Sequence, residues 1–158
     1  MLESLESSQF SAWIRNALWG WPFALTLHAF GTALVVGFIV IIGLRMLGVS
    51  SMIPYSVLRR LFPVVWAAIA LQFVSGFLLW MTKPTQYVVD VAFMLKSVLI
   101  IAGIGLTLRL FRTINEGAAS WDANGTVSSR AVTLGAAALV LWCVVLVAGR
   151  LTAHLGAL

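Results

Sequence analysis

Residues 21–47 read WPFALTLHAFGTALVVGFIVIIGLRML. Before Arg45 the only ionisable side chain in this stretch is His28. A bilayer core takes about 20 helical residues to cross, at a rise of roughly 1.5 Å each, and this run exceeds that length. It is continuously apolar, without the alternation of a barrel strand. In hydrocarbon the backbone must satisfy its own N–H and C=O groups, so such a run spans as a helix. One spanning helix with one imidazole in it sets both the fold and the search for a site.

Three more runs have the same character: Leu61–Met81, Tyr87–Leu110 and Ala131–Thr152. The chain has 158 residues, 61% of them hydrophobic and 9% charged, which leaves too few polar side chains to coat a soluble domain. The sequence therefore predicts an all-α integral membrane protein, one transmembrane domain over residues 1–158. Short connections make consecutive helices antiparallel neighbours in a four-helix up-down bundle. Ahead of the first span, SSQFSAWIRNALWGW spaces Phe10, Trp13, Ile14, Leu18 and Trp21 for a short interfacial helix, with Ser7 or Ser8 as its N-cap. The opening MLESLESSQF has Glu3 and Glu6 and no early Lys or Arg, so the first run is expected to be retained rather than cleaved as a signal. The longest connection, NEGAASWDANGTVSS, reads as a polar surface loop with Trp121 lying on the membrane.

Basic residues give the orientation. Arg45, Arg59 and Arg60 flank the first loop, and Arg109, Arg112 and Arg130 flank the third. The other side has Arg15 and Lys83, with Lys96 and Arg150 embedded near it. The positive-inside rule then puts the first and third loops in the cytoplasm and both termini outside, with the membrane crossed four times. Trp13, Trp19, Trp21, Trp80 and Tyr87 form an outer aromatic belt. The net charge of +5 is thus a topology signal, and no basic stretch interleaved with aromatics suggests nucleic acid. Cys143, the single cysteine, lies in an apolar run and is expected as a small buried hydrophobe.

The two histidines are His28 and His154. An ionisable group within a span is costly, faces a protein interior and often serves a function. Imidazole is the usual axial ligand of protein-bound haem. Measured along the helices from the cytoplasmic arginines, His28 lies roughly 25 Å out, Lys96 about 20 Å, Arg150 roughly 30 Å and His154 about 36 Å. All four fall in the outer half of the bilayer, which fits a site open to the outer face. Arg150 and His154 are i,i+4 and share a helix face. Gly31, one turn after His28, either leaves room for a planar partner or serves close helix packing. Lys96 either snorkels to the outer interface or pairs with an anion such as a haem propionate, a role open to Arg150 as well. His154 is a second ligand or a solvated terminal residue. The depth difference of about 10 Å from His28 requires helix tilt or ligands from two protomers. Gln72 and Ser75 are expected to hydrogen-bond between helices.

The stretch LHAFGTALVVGFIVIIGLRMLGV, followed by RRLFPVVWAAIALQFVSGFLLW and VAFMLKSVLI, resembles a group of small bacterial four-helix membrane proteins. Their pattern is a first-helix H-x-x-G, an LR-x-LG exit and a third-helix F-x-x-K, matched here by His28, Gly31, Arg45, Gly48, Phe93 and Lys96. More distantly the chain is similar to copper-resistance-protein-D-like proteins and to four-helix b-type cytochromes, whose spanning histidines bind haem or metal. With two histidines it departs from di-haem cytochromes and has ligands for at most one bis-histidine haem per protomer.

The expectation is a small, homo-oligomeric b-type cytochrome without a catalytic residue of its own. It would hold one non-covalent haem b on His28 and His154, with Lys96, Arg150 and Gly31 completing the site. Its task would be electron transfer between quinone and an outer redox protein. No C-x-x-C-H is present for covalent attachment. One alternative is copper or zinc handling, against which stand the single cysteine and the scattered methionines. The other is a non-catalytic assembly subunit of a membrane complex. No Ser-His-acid set or carboxylate pair shares a depth, so hydrolysis is not expected.

Overall fold

The computed structural model describes residues 2–49 and 51–155, the last five by their backbone alone. Eight α-helices follow one another among the described residues: α1 Leu2–Glu6, α2 Gln9–Asn16, α3 Gly20–Met46, α4 Tyr55–Leu58, α5 Phe62–Trp80, α6 Pro84–Val89, α7 Val91–Asn124 and α8 Ser129–Leu155. A 3-10 turn, Arg59–Leu61, joins α4 to α5, and no strand is present among these residues. Four stretches are long and apolar enough to cross a membrane: Gly20–Met46, Tyr55–Trp80, Val91–Asn124 and Ser129–Arg150. Outward-facing Phe23, Phe30, Phe73, Val98 and Ile101 give them surfaces compatible with lipid contact.

The third long helix runs 14 residues beyond Leu110, where the sequence suggested a loop. The cause is a buried stripe, Ile114, Ala118 and Trp121, at i, i+4 and i+7. Gly125 stops the helix with φ +70, and its N–H donates to the Trp121 carbonyl at 2.9 Å. Trp121 is consequently buried at 7% exposure, edge-on to Tyr55, rather than exposed for the membrane surface. The helix expected from Phe10 to Trp21 is also divided. Ala17 turns extended (ψ 135), ends α2, and α3 starts at Gly20. A Cβ on Gly20 would come within 2.7 Å of the Ile14 carbonyl oxygen, so this elbow requires glycine.

Helix α3 packs along both α5 and α8, and α8 packs along α7. Helices α5 and α7 barely touch over their length. They meet near the loops, where Phe62 stacks on Phe111 at 3.8 Å and Trp66 meets the same ring edge-on at 5.9 Å. The buried core, including Val35, Ile39, Ile42, Leu58, Val65, Leu110 and Ile114, lies in this loop-end half. The half nearer the termini is where α5 and α7 part, and there the polar side chains of the spans collect.

The first loop is folded, and a charge read as a topology signal folds it. Arg45, only 7% exposed, donates from Nε to the Ile53 carbonyl at 2.5 Å and from Nη1 to the Tyr55 hydroxyl at 2.6 Å. Its guanidinium carbon stands 3.6 Å from the Tyr55 ring centroid, a cation–π contact. From α7, Asp122 accepts the backbone N–H groups of Tyr55 at 2.6 Å and Ser56 at 3.0 Å. That carboxylate caps α4, whose own N-cap residue is Pro54 and has no capping side chain. Asp122→Ala is expected to cost about 1 kcal/mol, since the carboxylate is solvent-exposed. In hydrogen exchange the Tyr55 and Ser56 amides are expected to lose protection before any other part of the loop.

At the opposite end Ser8 caps α2 as expected, accepting from the Ser11 N–H at 3.2 Å. Ser11 Oγ donates to the Met81 carbonyl at 3.1 Å, and Arg15 Nη1 donates to the Thr82 carbonyl at 2.6 Å. Both acceptors lie just past α5, so α2 satisfies carbonyls that the helix end leaves open. Cys143 departs from expectation. It is exposed on the outer face of α8, beside the exposed Val144.

Candidate functional site

Helices α3 and α5 approach closely at two small residues. A Cβ on Gly31 would come within 2.7 Å of Gln72 Oε1, and one on Gly76 within 3.1 Å of His28 Cε1. The Gly31 space that sequence reasoning held open for a planar group is therefore filled by Gln72. In exchange the two backbones come near enough for a polar network between spans.

His28 is its centre. Its Nδ1 lies 3.1 Å from Ser75 Oγ, and its Nε2 lies 3.0 Å from Gln72 Nε2. Gln72 Nε2 also donates to Thr32 Oγ1 at 2.8 Å. The hydroxyl hydrogens are committed to their own helices: Ser75 to the Leu71 carbonyl at 2.7 Å, Thr32 to the His28 carbonyl at 2.9 Å. Ser75 must then accept, so the proton sits on Nδ1, and Nε2 presents a lone pair to the Gln72 amide. Every donor in the network is used. One acceptor is left over, Gln72 Oε1, buried and without a partner. Such an atom costs roughly 1–3 kcal/mol relative to a bonded one.

Lys96 enters from α7. Its side chain runs along α8 at Gly149, with Nζ 3.6 Å from the position a Gly149 Cβ would take, an ordinary contact distance. It is half-buried, and its charge is felt at the His28 ring. Arg150, next to Gly149, is exposed. His154 is on the α8 backbone one turn later, and its side chain lies outside the described residues. The structure thus joins His28 with Gln72 and Ser75, as two interhelical hydrogen-bonding residues, and brings Lys96 into electrostatic range. Thr32 and Gly76 belong to the same network. Their signal in the sequence was spacing: Thr32 is i+4 from His28, and Gly76 is i+4 from Gln72.

Haem is the group the resemblance implies, and geometry tests it. The Nδ1 bond to Ser75 is the outer hydrogen bond that fixes a ligating imidazole and its tautomer. The remaining nitrogen, Nε2, is the one with a lone pair to give. Gln72 occupies that lone pair, so His28 fits a metal only once the Gln72 amide swings aside. Swinging aside gives up the two hydrogen bonds of Gln72 Nε2, to His28 and Thr32, while the orphaned Oε1 has none to lose. Among the described residues no three His, Cys, Asp or Glu side chains cluster to hold a bare metal ion.

No family model, curated protein or solved structure matches the chain.

Proposed function

We propose that this chain is a small multi-pass b-type cytochrome that binds one haem b through His28 and passes electrons between quinone and an outer redox protein. The observation that carries the reading is the state of the imidazole. Its Nδ1 is anchored by Ser75, and its Nε2 lone pair faces a side chain with an unsatisfied oxygen of its own. In this reading the helices form an up-down bundle with both termini outside, α2 lies in the outer interface, and copies associate in the bacterial inner membrane.

A bound haem supplies a reversible one-electron couple. The protein's part would be to bind and orient it: His28 would hold the iron, and Ser75 would hold the imidazole ring. Lys96 and Arg150 are cations of the kind that pair with propionates, and His154 is the candidate second ligand. Apolar packing around a bound haem would set its potential.

One observation favours a second reading, a non-catalytic assembly subunit. Both ring nitrogens of His28 are already satisfied within the chain, as in a histidine that serves only to join two helices. The visible spectrum of the detergent-purified protein, expressed with ample haem supply and recorded oxidised and dithionite-reduced, separates the two. A Soret band that sharpens on reduction supports the cytochrome. A colourless protein that takes up no added haem overturns it in favour of the subunit.

A further inference from the structure

At the loop end, away from His28, a groove of about 600 Å³ opens between the start of α5 and the middle of α7. Arg59 and Arg60 stand on its rim with Asn115 of α7, and Phe62, Pro63 and Trp66 line the rest. Both arginines are exposed, and neither has a carboxylate partner among the described residues. The acidic groups on this side are Glu116, next to Asn115, and Asp122. Asp122 is committed to the α4 backbone through Tyr55 and Ser56, which also accounts for Ser56 at the rim.

The lining is graded along the membrane normal. Arg59 and Arg60 lie in the 3-10 turn just before α5, and Trp66 is seven residues past Arg59, about 10 Å further into the span. Guanidinium groups form bidentate charged hydrogen bonds with phosphate, and the amide of Asn115 can donate a further one. Further along α5 the Phe62 and Trp66 rings, braced against Phe111, offer an apolar wall. A soluble phosphate ester uses the rim and leaves that wall bare. A phospholipid uses both.

We propose that this groove binds an anionic phospholipid, its phosphate on Arg59 and Arg60 and its glycerol and upper acyl chain along Phe62 and Trp66. The site is independent of the haem reading. Annular lipid meets a membrane protein everywhere, so the distinguishing property is headgroup selection at this one place.

Native mass spectrometry of the detergent-solubilised full chain, titrated with phosphatidylglycerol or phosphatidylcholine of matched acyl chains, tests it. At least a tenfold preference for phosphatidylglycerol in the first binding event is expected. Arg59→Gln/Arg60→Gln is expected to reduce the preference to twofold or less, while Arg130→Gln, in the first turn of α8 and outside the groove, retains it. Arg59→Lys/Arg60→Lys keeps the charge and removes the bidentate fork, so an intermediate preference is expected, which also guards against misfolding of the glutamine pair. Equal binding of the two lipids overturns the proposal, as does a preference that survives the glutamine pair. Competition with glycerol 3-phosphate identifies the source. Displacement at matched concentration overturns the lipid assignment in favour of a soluble phosphate ester, and no displacement supports it.

Discussion

His28→Ala is expected to abolish the Soret band of the purified protein while leaving its helix content and monodispersity intact. The imidazole is half-buried and ties α3 to α5 through two hydrogen bonds, so its loss costs about 1–2 kcal/mol of stability. That is too little to unfold helices held by the loop-end core. The informative comparison is with its neighbours. Gln72→Ala removes the amide that competes for Nε2 and the orphaned oxygen with it. If Gln72 is the group that haem displaces, this variant binds haem about fivefold more tightly, the equivalent of one hydrogen bond worth ~1 kcal/mol. Ser75→Ala leaves Nε2 in place but frees the ring to turn, and a loss of about tenfold in affinity is expected. Opposite signs at two residues contacting the same ring are the signature of ligation, measured by haem titration of the apoprotein followed in the Soret region. A structural histidine predicts another pattern, in which all three variants lower stability and none changes haem uptake.

The four spans were legible because hydrocarbon imposes one rule, long apolar runs with their backbone bonds closed internally, and every residue of a run reports it. Helix ends and the site were less legible, because they depend on pairings between distant segments. The stretch after Leu110 looked like a loop from its Gly, Ser and Asn content. Its buried stripe becomes meaningful only once α4 is folded against it, which Arg45 and Asp122 bring about from opposite sides. Arg45 illustrates the difficulty: an arginine at a span's end reports topology by default, and only its partners reveal a buried structural cation. At the site, the sequence pointed to His28 and to hydrogen bonding by Gln72 and Ser75. It could not show that these were one network, since helix rotation is set by packing. Gly31 was ambiguous for the same reason. A missing side chain is equally consistent with room for a ligand and with a neighbour already present, and here the neighbour is Gln72.

The largest effect on the fold is expected at Gly135. It lies where α8 crosses α3: a Cβ there would sit 2.6 Å from Met46 Cβ and 2.8 Å from Met46 Cγ. Met46 is 2% exposed, and its Cβ is fixed to the helix backbone, so it has no means of yielding. On the facing helix Gly43 is confined to a lesser degree, its added Cβ meeting the Gly135 carbonyl oxygen and Leu139 Cβ at 3.2 Å each. This pair of glycines sets how closely the two helices approach, as small residues do where membrane helices pack tightly. Gly135→Leu must push α3 from α8 along the core formed by Ile39 and Ile42, and a loss of about 3 kcal/mol or more is expected. Gly135→Ala is expected to fall between, the clash partly offset by about 0.5–1 kcal/mol of helix propensity. Gly37 of α3 is the control, because nothing lies within 4 Å of its Cβ position, and Gly37→Leu is expected to stay within ~0.5 kcal/mol. Unfolding midpoints in detergent, with monodispersity checked at each step, rank the three. A Gly135→Leu protein as stable as the Gly37→Leu one would mean that α3 and α8 do not cross here, and the arrangement of all four spans would have to be redrawn.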